Sequence, residues 1–228
     1  MKGFTKYSSS VTPSELVIFL NDMYNRFDVI SENCSIFKVE IIGDAYFGCA
    51  GAPTPAEDHA DKIARGALAF LDSVSQMKID TPLLAEKDVQ IRIGVHSGAV
   101  VAGVVGAKDP RYHLFGTNVS YAERMESSGV PGKIQASDAF AKEVALYIGS
   151  NKCAYKIVER SDSSDNTWFI ERSDSNGSKN GSAADTGSIR LHQKNKRNNT
   201  KINRNATFPR SKSSNSVALA AWDEEDDE

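Results

Sequence analysis

The sequence has 228 residues, 40% of them hydrophobic and 25% charged, and its formal net charge is −3. This length and composition suit one soluble globular domain with an appendage, with no apolar run near the ~20 residues that would cross a bilayer and no basic excess typical of a nucleic-acid binder. The three cysteines (Cys34, Cys49 and Cys153) show no metal-binding spacing, so we interpret them as reduced thiols of a cytoplasmic protein.

The first half of the chain predicts a helix, a β-hairpin and a second helix. Thr12, Pro13 and Glu15 in "TPSE" form a capping-box pattern, and apolar residues at helical spacing follow it. "SIFKVEIIGDAYFGCAG" holds two β-rich runs around Gly43 and Asp44, which indicates a hairpin. "EDHADKIARGALAFLDSV" has one apolar face and is typical of an amphipathic helix.

The second half continues this alternation. "VQIRIGVHSG" and "AVVAGVVG" predict two strands of a second hairpin, joined by a turn at Ser97 and Gly98. "TNVSYAERMESSG" predicts a helix that ends at Gly129, "GKIQAS" a short strand, "DAFAKEVALY" a helix capped by Ser137, and "CAYKIVE" with "NTWFIE" a closing pair of strands. Interleaved helices and antiparallel strands predict an α+β fold over residues 1–172, a ferredoxin-like sheet with helices packed on one face.

The last part of the chain, residues 173–228, differs in composition. It is rich in Ser, Asn, Gly and Lys, carries no acidic residue between Thr186 and Trp222, and ends in Asp-Glu-Glu-Asp-Asp-Glu. A segment with so few apolar residues does not bury enough surface to offset its ordering entropy, so we expect a disordered, basic-then-acidic tail.

Two acidic residues of the first hairpin are candidates for a functional site. Asp44 lies at the predicted tight turn, where a carboxylate is suited to a hard cation such as Mg²⁺; a turn-favouring Gly-Asp pair is the alternative. Glu40 lies in an otherwise apolar stretch. Its carboxylate could accept hydrogen bonds from guanine N1 and N2, or it could simply face solvent.

A longer segment carries a resemblance to a known family. "RIGVHSGAVVAGVVGAKDPRYHLFGTNVSYAERMESSGVPGKI" is similar to the signature of class III nucleotidyl cyclases, the adenylate and guanylate cyclases. The hairpin "KVEIIGDAYFG" and the helix "HADKIARGAL" resemble further motifs of that family in the same order. The resemblance covers residues 1 to about 170. It implies a phosphorus–oxygen lyase that converts GTP or ATP to a 3′,5′-cyclic monophosphate and pyrophosphate for intracellular signalling.

The resemblance also implies a site between two such domains, in a homo- or heterodimer, with two Mg²⁺ or Mn²⁺ ions that activate the attacking ribose oxygen. Asp44 matches the second metal-binding aspartate. The backbone amides of Gly3, Phe4 and Thr5 match a loop that meets the β- and γ-phosphates.

Base and phosphate recognition are implied for four other residues. Glu40 and His113 match the purine-selecting pair, and Glu40 favours GTP over ATP. Arg124 matches the arginine that stabilises charge on the transferring phosphate. Ser120 stands where the family has a catalytic Asn, and Asn118 is too far out of register to replace that Asn without losing Arg124.

Ser120 and two other departures from the family pattern raise an alternative. The family's region begins "FxDIxGFT", so Met1 falls one residue after the first metal-binding aspartate, and we expect a fold without its first strand and little or no cyclase activity from this chain alone. The triphosphate-binding Lys has no counterpart, since Ser161 or Asp162 stands there. The alternative is a pseudo-cyclase that pairs with and regulates a competent cyclase domain. For either function we expect a cytoplasmic location, on the cytoplasmic side of a membrane if the full-length protein is a receptor.

Overall fold

The structure is a computed structural model that describes residues 11–80, 90–148, 155–163, 165–173 and 215–221, with 78–80 and 215–221 described by their backbone alone. The helices in these ranges are α1 (Pro13–Asn33), α2 (His59–Asp80), α3 (Thr117–Ser127) and α4 (Asp138–Ala145). The predicted capping box begins α1, since Thr12 Oγ1 accepts from the Glu15 amide and the Glu15 carboxylate accepts from the Thr12 amide. Ser137 caps α4, as predicted, because its hydroxyl oxygen accepts from the amide of Phe140.

The strands form a large sheet and a separate hairpin. In chain order they are β1 (Phe37–Ile42), β2 (Ala45–Ala50), β3 (Arg92–Gly98), β4 (Val101–Val105), β5 (Arg111–Phe115), β6 (Ile134–Ser137), β7 (Tyr155–Glu159), β8 (Thr167–Arg172) and β9 (Asn215–Ala221). The large sheet has the order β1-β2-β9-β3-β6-β8-β7, and β4 pairs with β5 alone. All of these elements belong to one compact unit of the chain.

The strand β9 corrects the expectation of a wholly disordered tail after residue 172. It lies in the middle of the large sheet, antiparallel to β2 on one side and to β3 on the other. Residues 37–50 and 92–98 thus do not pair with each other directly, and the position between them is filled from the end of the chain. Both neighbouring strands therefore find their hydrogen-bond partner in β9.

Two other strand pairings differ from the sequence prediction. The predicted hairpin of β3 with β4 does not form, because β4 pairs with β5, a strand that the sequence analysis missed. One pair in the large sheet, β3 with β6, is parallel. A parallel pair needs a long crossover between its strands, and here the β4–β5 hairpin and α3 provide it.

Both faces of the large sheet are covered. The main core packs α1, α2 and α4 against one face, with Phe27, Ile63, Ile93 and Phe140 among its fully buried members. A smaller cluster on the other face joins Phe47 of β2 to β5 and α3. The prediction that all helices lie on one face is therefore wrong, since α3 packs on the opposite face. Among the described helices, none is both long and apolar enough to cross a membrane.

Candidate active site

The predicted base-reading residues are in contact. Glu40 lies in β1 and His113 in β5, and His113 Nδ1 is 3.4 Å from Glu40 Oε1. These strands belong to different sheets, and an edge-to-face contact between Phe37 and Tyr112, with ring centroids 5.1 Å apart, packs one against the other. Both side chains of the Glu40–His113 pair remain partly exposed, so a ligand has access to them.

A β-bulge in β1 directs Glu40 toward His113. Lys38 pairs with Gly48, but Glu40 pairs with Phe47, so the register shifts between them. Because neighbouring positions of β2 face opposite sides of the sheet, the bulge places Lys38 and Glu40 on opposite sides. Lys38 accordingly binds Asp28 of α1 at 2.7 Å, while Glu40 faces β5.

Asp44 lies where the sequence predicted it, in the two-residue turn between β1 and β2. Gly43 takes a positive φ of 60° at this turn, and the Tyr24 hydroxyl donates to the Gly43 carbonyl at 3.4 Å. Asp44 is half-buried. Within the described ranges no group of three His, Cys, Asp or Glu side chains could hold a metal ion. Gly3, Phe4 and Thr5 lie outside the described residues.

Ser120 and Arg124 occupy one exposed face of α3, one helical turn apart. The helix that carries them is fixed firmly to β3. A buried ion pair joins Arg92 Nε to Glu126 Oε1 at 2.8 Å, and the backbone of α3 lies directly against Gly94. The two predicted phosphate-site residues therefore stand on a rigid support.

Asn118 has a different role from that of a catalytic amide. Its Oδ1 lies 3.0 Å from Nε2 of the buried His96, and its Nδ2 donates to the Ala99 carbonyl at 2.7 Å. Since an amide oxygen only accepts, His96 Nε2 donates to Asn118, and His96 Nδ1 lies 2.7 Å from the Ser137 hydroxyl oxygen. These bonds hold the start of α3 against the sheet.

Arg124 has an anionic partner that the sequence analysis did not name. Its Nη2 donates to Asp165 Oδ2 at 2.5 Å, and its guanidinium lies over the ring of Tyr121, 4.8 Å from the centroid. Asp162, which the sequence analysis placed near the triphosphate, instead binds Arg160 at 2.9 Å, and this hydrogen bond lowers the pKa of the Asp162 carboxyl. Position alone, just before β8, could have drawn attention to Asp165, but its contact with α3 depends on the fold.

A cavity of about 400 Å³ opens beside the Arg124–Asp165 pair. It lies between α3, the start of α4 and the start of β8, and His96, Tyr121, Ser137, Asp165 and Thr167 line it. The predicted site residues thus form two groups. Glu40 and His113 are in contact at the β1–β5 junction, and Ser120 and Arg124 lie on the anchored helix α3.

Comparisons with known proteins identify the family to which this fold belongs. The family model described as the adenylate and guanylate cyclase catalytic domain matches residues 1–164. The guanylate cyclase domain of RhGC from Catenaria anguillulae, solved in complex with GTP, superposes with a TM-score of 0.63 at 31% identity, over 74% of this chain and 90% of that one.

Curated relatives agree. Receptor-type guanylate cyclase gcy-28 of Caenorhabditis elegans is 47% identical over 135 residues, and human atrial natriuretic peptide receptor 2 is 49% identical over 136 residues. Each alignment covers 59% of this chain but only 10% and 13% of those relatives, so the chain spans a small part of their length. The chain belongs to the family of adenylate and guanylate cyclase catalytic domains, which confirms the resemblance and the α+β fold predicted from the sequence.

Proposed function

We propose that this chain binds a nucleoside triphosphate, GTP in preference to ATP, as a cyclase domain in cyclic nucleotide synthesis. The contact of Glu40 Oε1 with His113 Nδ1 at 3.4 Å supports this proposal most directly, because it pairs a carboxylate with an imidazole at an accessible junction of two sheets. In the proposed reaction, the ribose 3′-oxygen attacks the α-phosphate and pyrophosphate leaves, which gives the 3′,5′-cyclic monophosphate.

The pair matches the hydrogen-bonding edge of guanine. A carboxylate accepts hydrogen bonds, and guanine N1 and N2 both donate, so Glu40 suits that side of the base. His113 contacts Glu40 through Nδ1, and its Nε2, when that nitrogen carries a proton, donates to guanine O6. Adenine N1 is an acceptor and would oppose the Glu40 carboxylate, so ATP is disfavoured.

Arg124 and Ser120 supply the phosphate side of the proposal. A planar, permanently charged guanidinium is suited to the charge that develops on the transferring phosphate, and the Ser120 hydroxyl one turn earlier is a shorter substitute for an amide. The proposal includes a Mg²⁺ or Mn²⁺ ion with Asp44 as one ligand, and the ion would supply positive charge to the phosphates.

A second cyclase domain is the proposed partner. The β4–β5 hairpin exposes Val101, Val104, Val105 and Phe115, with exposed fractions from 48% to 70%. Exposed apolar residues grouped in this way are typical of an interface between proteins. Sedimentation equilibrium of the chain with and without Val104→Asp tests this part: a homodimer that the substitution dissociates is expected, and association with another cyclase domain only would indicate a heterodimer.

The base-reading proposal is tested by titrating the purified chain with GTP and with ATP. Glu40→Lys combined with His113→Asp should shift the preference toward ATP, while Glu32→Lys, a charge reversal at the exposed end of α1, should leave it unchanged. An unchanged GTP-to-ATP ratio in the double variant would show that these residues do not read the base.

Two observations favour the pseudo-cyclase as a second candidate. The guanidinium of Arg124 is already bound by the Asp165 carboxylate, and Ser120 stands where the family has an amide. Measurement of cGMP and cAMP made from Mn²⁺-GTP and Mn²⁺-ATP distinguishes the two. A chain that binds GTP without turnover, yet changes the rate of a competent cyclase domain mixed with it, is the pseudo-cyclase.

A further inference from the structure

The ion pair between Arg124 and Asp165 joins two distant parts of the chain at the mouth of the cavity beside α3. Arg124 lies in the last turn of α3, and Asp165 precedes β8 by two residues. The Nη2–Oδ2 distance is 2.5 Å, and each side chain is 51% exposed. The pair is therefore formed but accessible, so another anion could reach the same guanidinium.

Tyr121 restricts where the guanidinium can go. The ring of Tyr121 lies 4.8 Å from the guanidinium carbon, and its hydroxyl is 3.4 Å from Nη2. Because the aromatic ring covers one face of the guanidinium, anions reach Arg124 at the edge that carries its N–H groups. A carboxylate and a phosphate both bind a guanidinium through this edge. Asp165 and a phosphate oxygen thus require the same donors.

A second carboxylate near Asp165 in the chain, that of Asp162, does not bind Arg124. Asp162 lies in the same connection between β7 and β8, but its partner is Arg160, at 2.9 Å from Nε. The Arg160 side chain is more buried than Arg124 and also donates to the Ser128 carbonyl at 2.7 Å. The connection therefore holds two carboxylates of equal charge, one bound to the proposed phosphate residue and one not.

We propose that Asp165 is an internal competitor for Arg124: its carboxylate occupies the guanidinium edge that a nucleotide phosphate uses, and the phosphate must displace it. Asp165 is thus a positioning residue that lowers affinity for the triphosphate. This inference rests on the proposed function in one respect, namely that Arg124 binds phosphate. It does not depend on which base is read by Glu40 and His113.

The expected size of the effect follows from the exposure of the pair. Ion pairs between exposed side chains are weak, so removing the Asp165 charge should strengthen triphosphate binding by about two- to five-fold. Substitution to Lys should have a larger effect, because it replaces repulsion of the triphosphate by attraction. Both effects should shrink at high salt, since exposed charges are screened.

The experiment measures binding of inorganic triphosphate to the full chain by calorimetry, without divalent ions, for wild type, Asp165→Asn and the matched control Asp162→Asn. Inorganic triphosphate carries no base, so the measurement is independent of base recognition. We expect tighter binding for Asp165→Asn only. In an Arg124→Gln background, Asp165→Asn should no longer change the affinity, because the group for which it competes is gone.

Three results would overturn the proposal. These are equal effects of Asp162→Asn and Asp165→Asn, an effect of Asp165→Asn that persists without Arg124, and no measurable binding to Asp165→Asn at any concentration tested. The gain in triphosphate affinity together with no preference for GTP over ATP would leave this inference standing and refute the base-reading function, so the two failures are distinguishable.

Discussion

Helix α3 approaches β3 so closely at Gly94 that no side chain fits between them. A Cβ placed on Gly94 would lie 2.1 Å from the amide nitrogen of Glu126, 2.6 Å from the Met125 carbonyl carbon and 2.7 Å from the Ala122 carbonyl oxygen. All three obstacles are backbone atoms of one helix, so no side-chain rotation relieves the contact. Gly94→Ala must therefore displace α3 itself.

Displacing α3 from β3 lowers the stability of the domain. Cβ contacts below 3.0 Å are essentially never seen, so α3 must retreat by about 1 Å from a well-packed face. Overpacking of this kind costs about 1–3 kcal/mol, and a backbone obstacle places Gly94→Ala at the upper end, about 3 kcal/mol. In a domain of this size each kcal/mol lowers the Tm by about 2–4 °C, so a fall of about 6–12 °C is expected.

Thermal unfolding followed by circular dichroism tests this prediction. Gly103→Ala is the matched control, because a Cβ on Gly103 of β4 meets no atom within 4 Å and its backbone is compatible with alanine. Gly103→Ala should melt within about 2 °C of the wild type. If Gly94→Ala also melts within about 2 °C of the wild type, α3 does not lie against β3 as described and its support of Arg124 is refuted.

Two further predictions concern β9 and the core. Leu219 lies in the middle of β9, opposite Phe47 of β2 and Gly94 of β3. Leu219→Pro removes its amide donor and should lower the Tm markedly, because a central strand does not tolerate proline. Leu219→Ala keeps the amide and should retain most of the stability. Burial raises the pKa of the Cys49 thiol from 9.0 to about 12. Above pH 9 the thiol therefore ionises in the unfolded chain but stays protonated in the folded one. The free energy of unfolding should then fall by up to roughly 1.4 kcal/mol per pH unit. Cys49→Ala should show a shallower decline between pH 9 and 12.

Each of these has an outcome that contradicts it. A Tm for Leu219→Pro equal to that of Leu219→Ala would mean that the tail strand does not take part in the sheet. Unfolding profiles of wild type and Cys49→Ala that run parallel from pH 9 to 12 would mean that the Cys49 thiol is not shielded from water. Tyr46, whose hydroxyl pKa is also raised by burial, is present in both chains and cancels in the comparison.

Local sequence signals predicted most elements well because they depend on neighbouring residues. Thr12 and Glu15 are three positions apart, so their capping box is readable from the sequence and is present at α1. The Gly43–Asp44 turn and the closing pair β7–β8 follow from the same kind of short-range pattern. The partner of β4 was mistaken because an apolar strand pattern indicates a strand and not its neighbour.

The tail was misjudged for a related reason. The β9 segment has small apolar residues next to a polar stretch of chain. Its sequence does not show that two strands elsewhere in the fold leave room for it to pair between them. Its composition indicates disorder, because the segment buries little surface of its own. In the structure, the backbone groups of β2 and β3 supply what the segment lacks, and β9 pairs with both.

The sequence by itself determined the family, the α+β class and the identity of Glu40, His113, Ser120 and Arg124 as the residues to examine, because these rest on residue types in a fixed order. Only the tertiary structure decided which of these residues are in contact with each other or with further residues. A bulge in β1 turns Glu40 toward His113, and the connection before β8 brings Asp165 onto Arg124. Contacts of this kind join residues far apart in the chain, and they depend on strand register and helix placement, which cooperative packing of the whole domain sets.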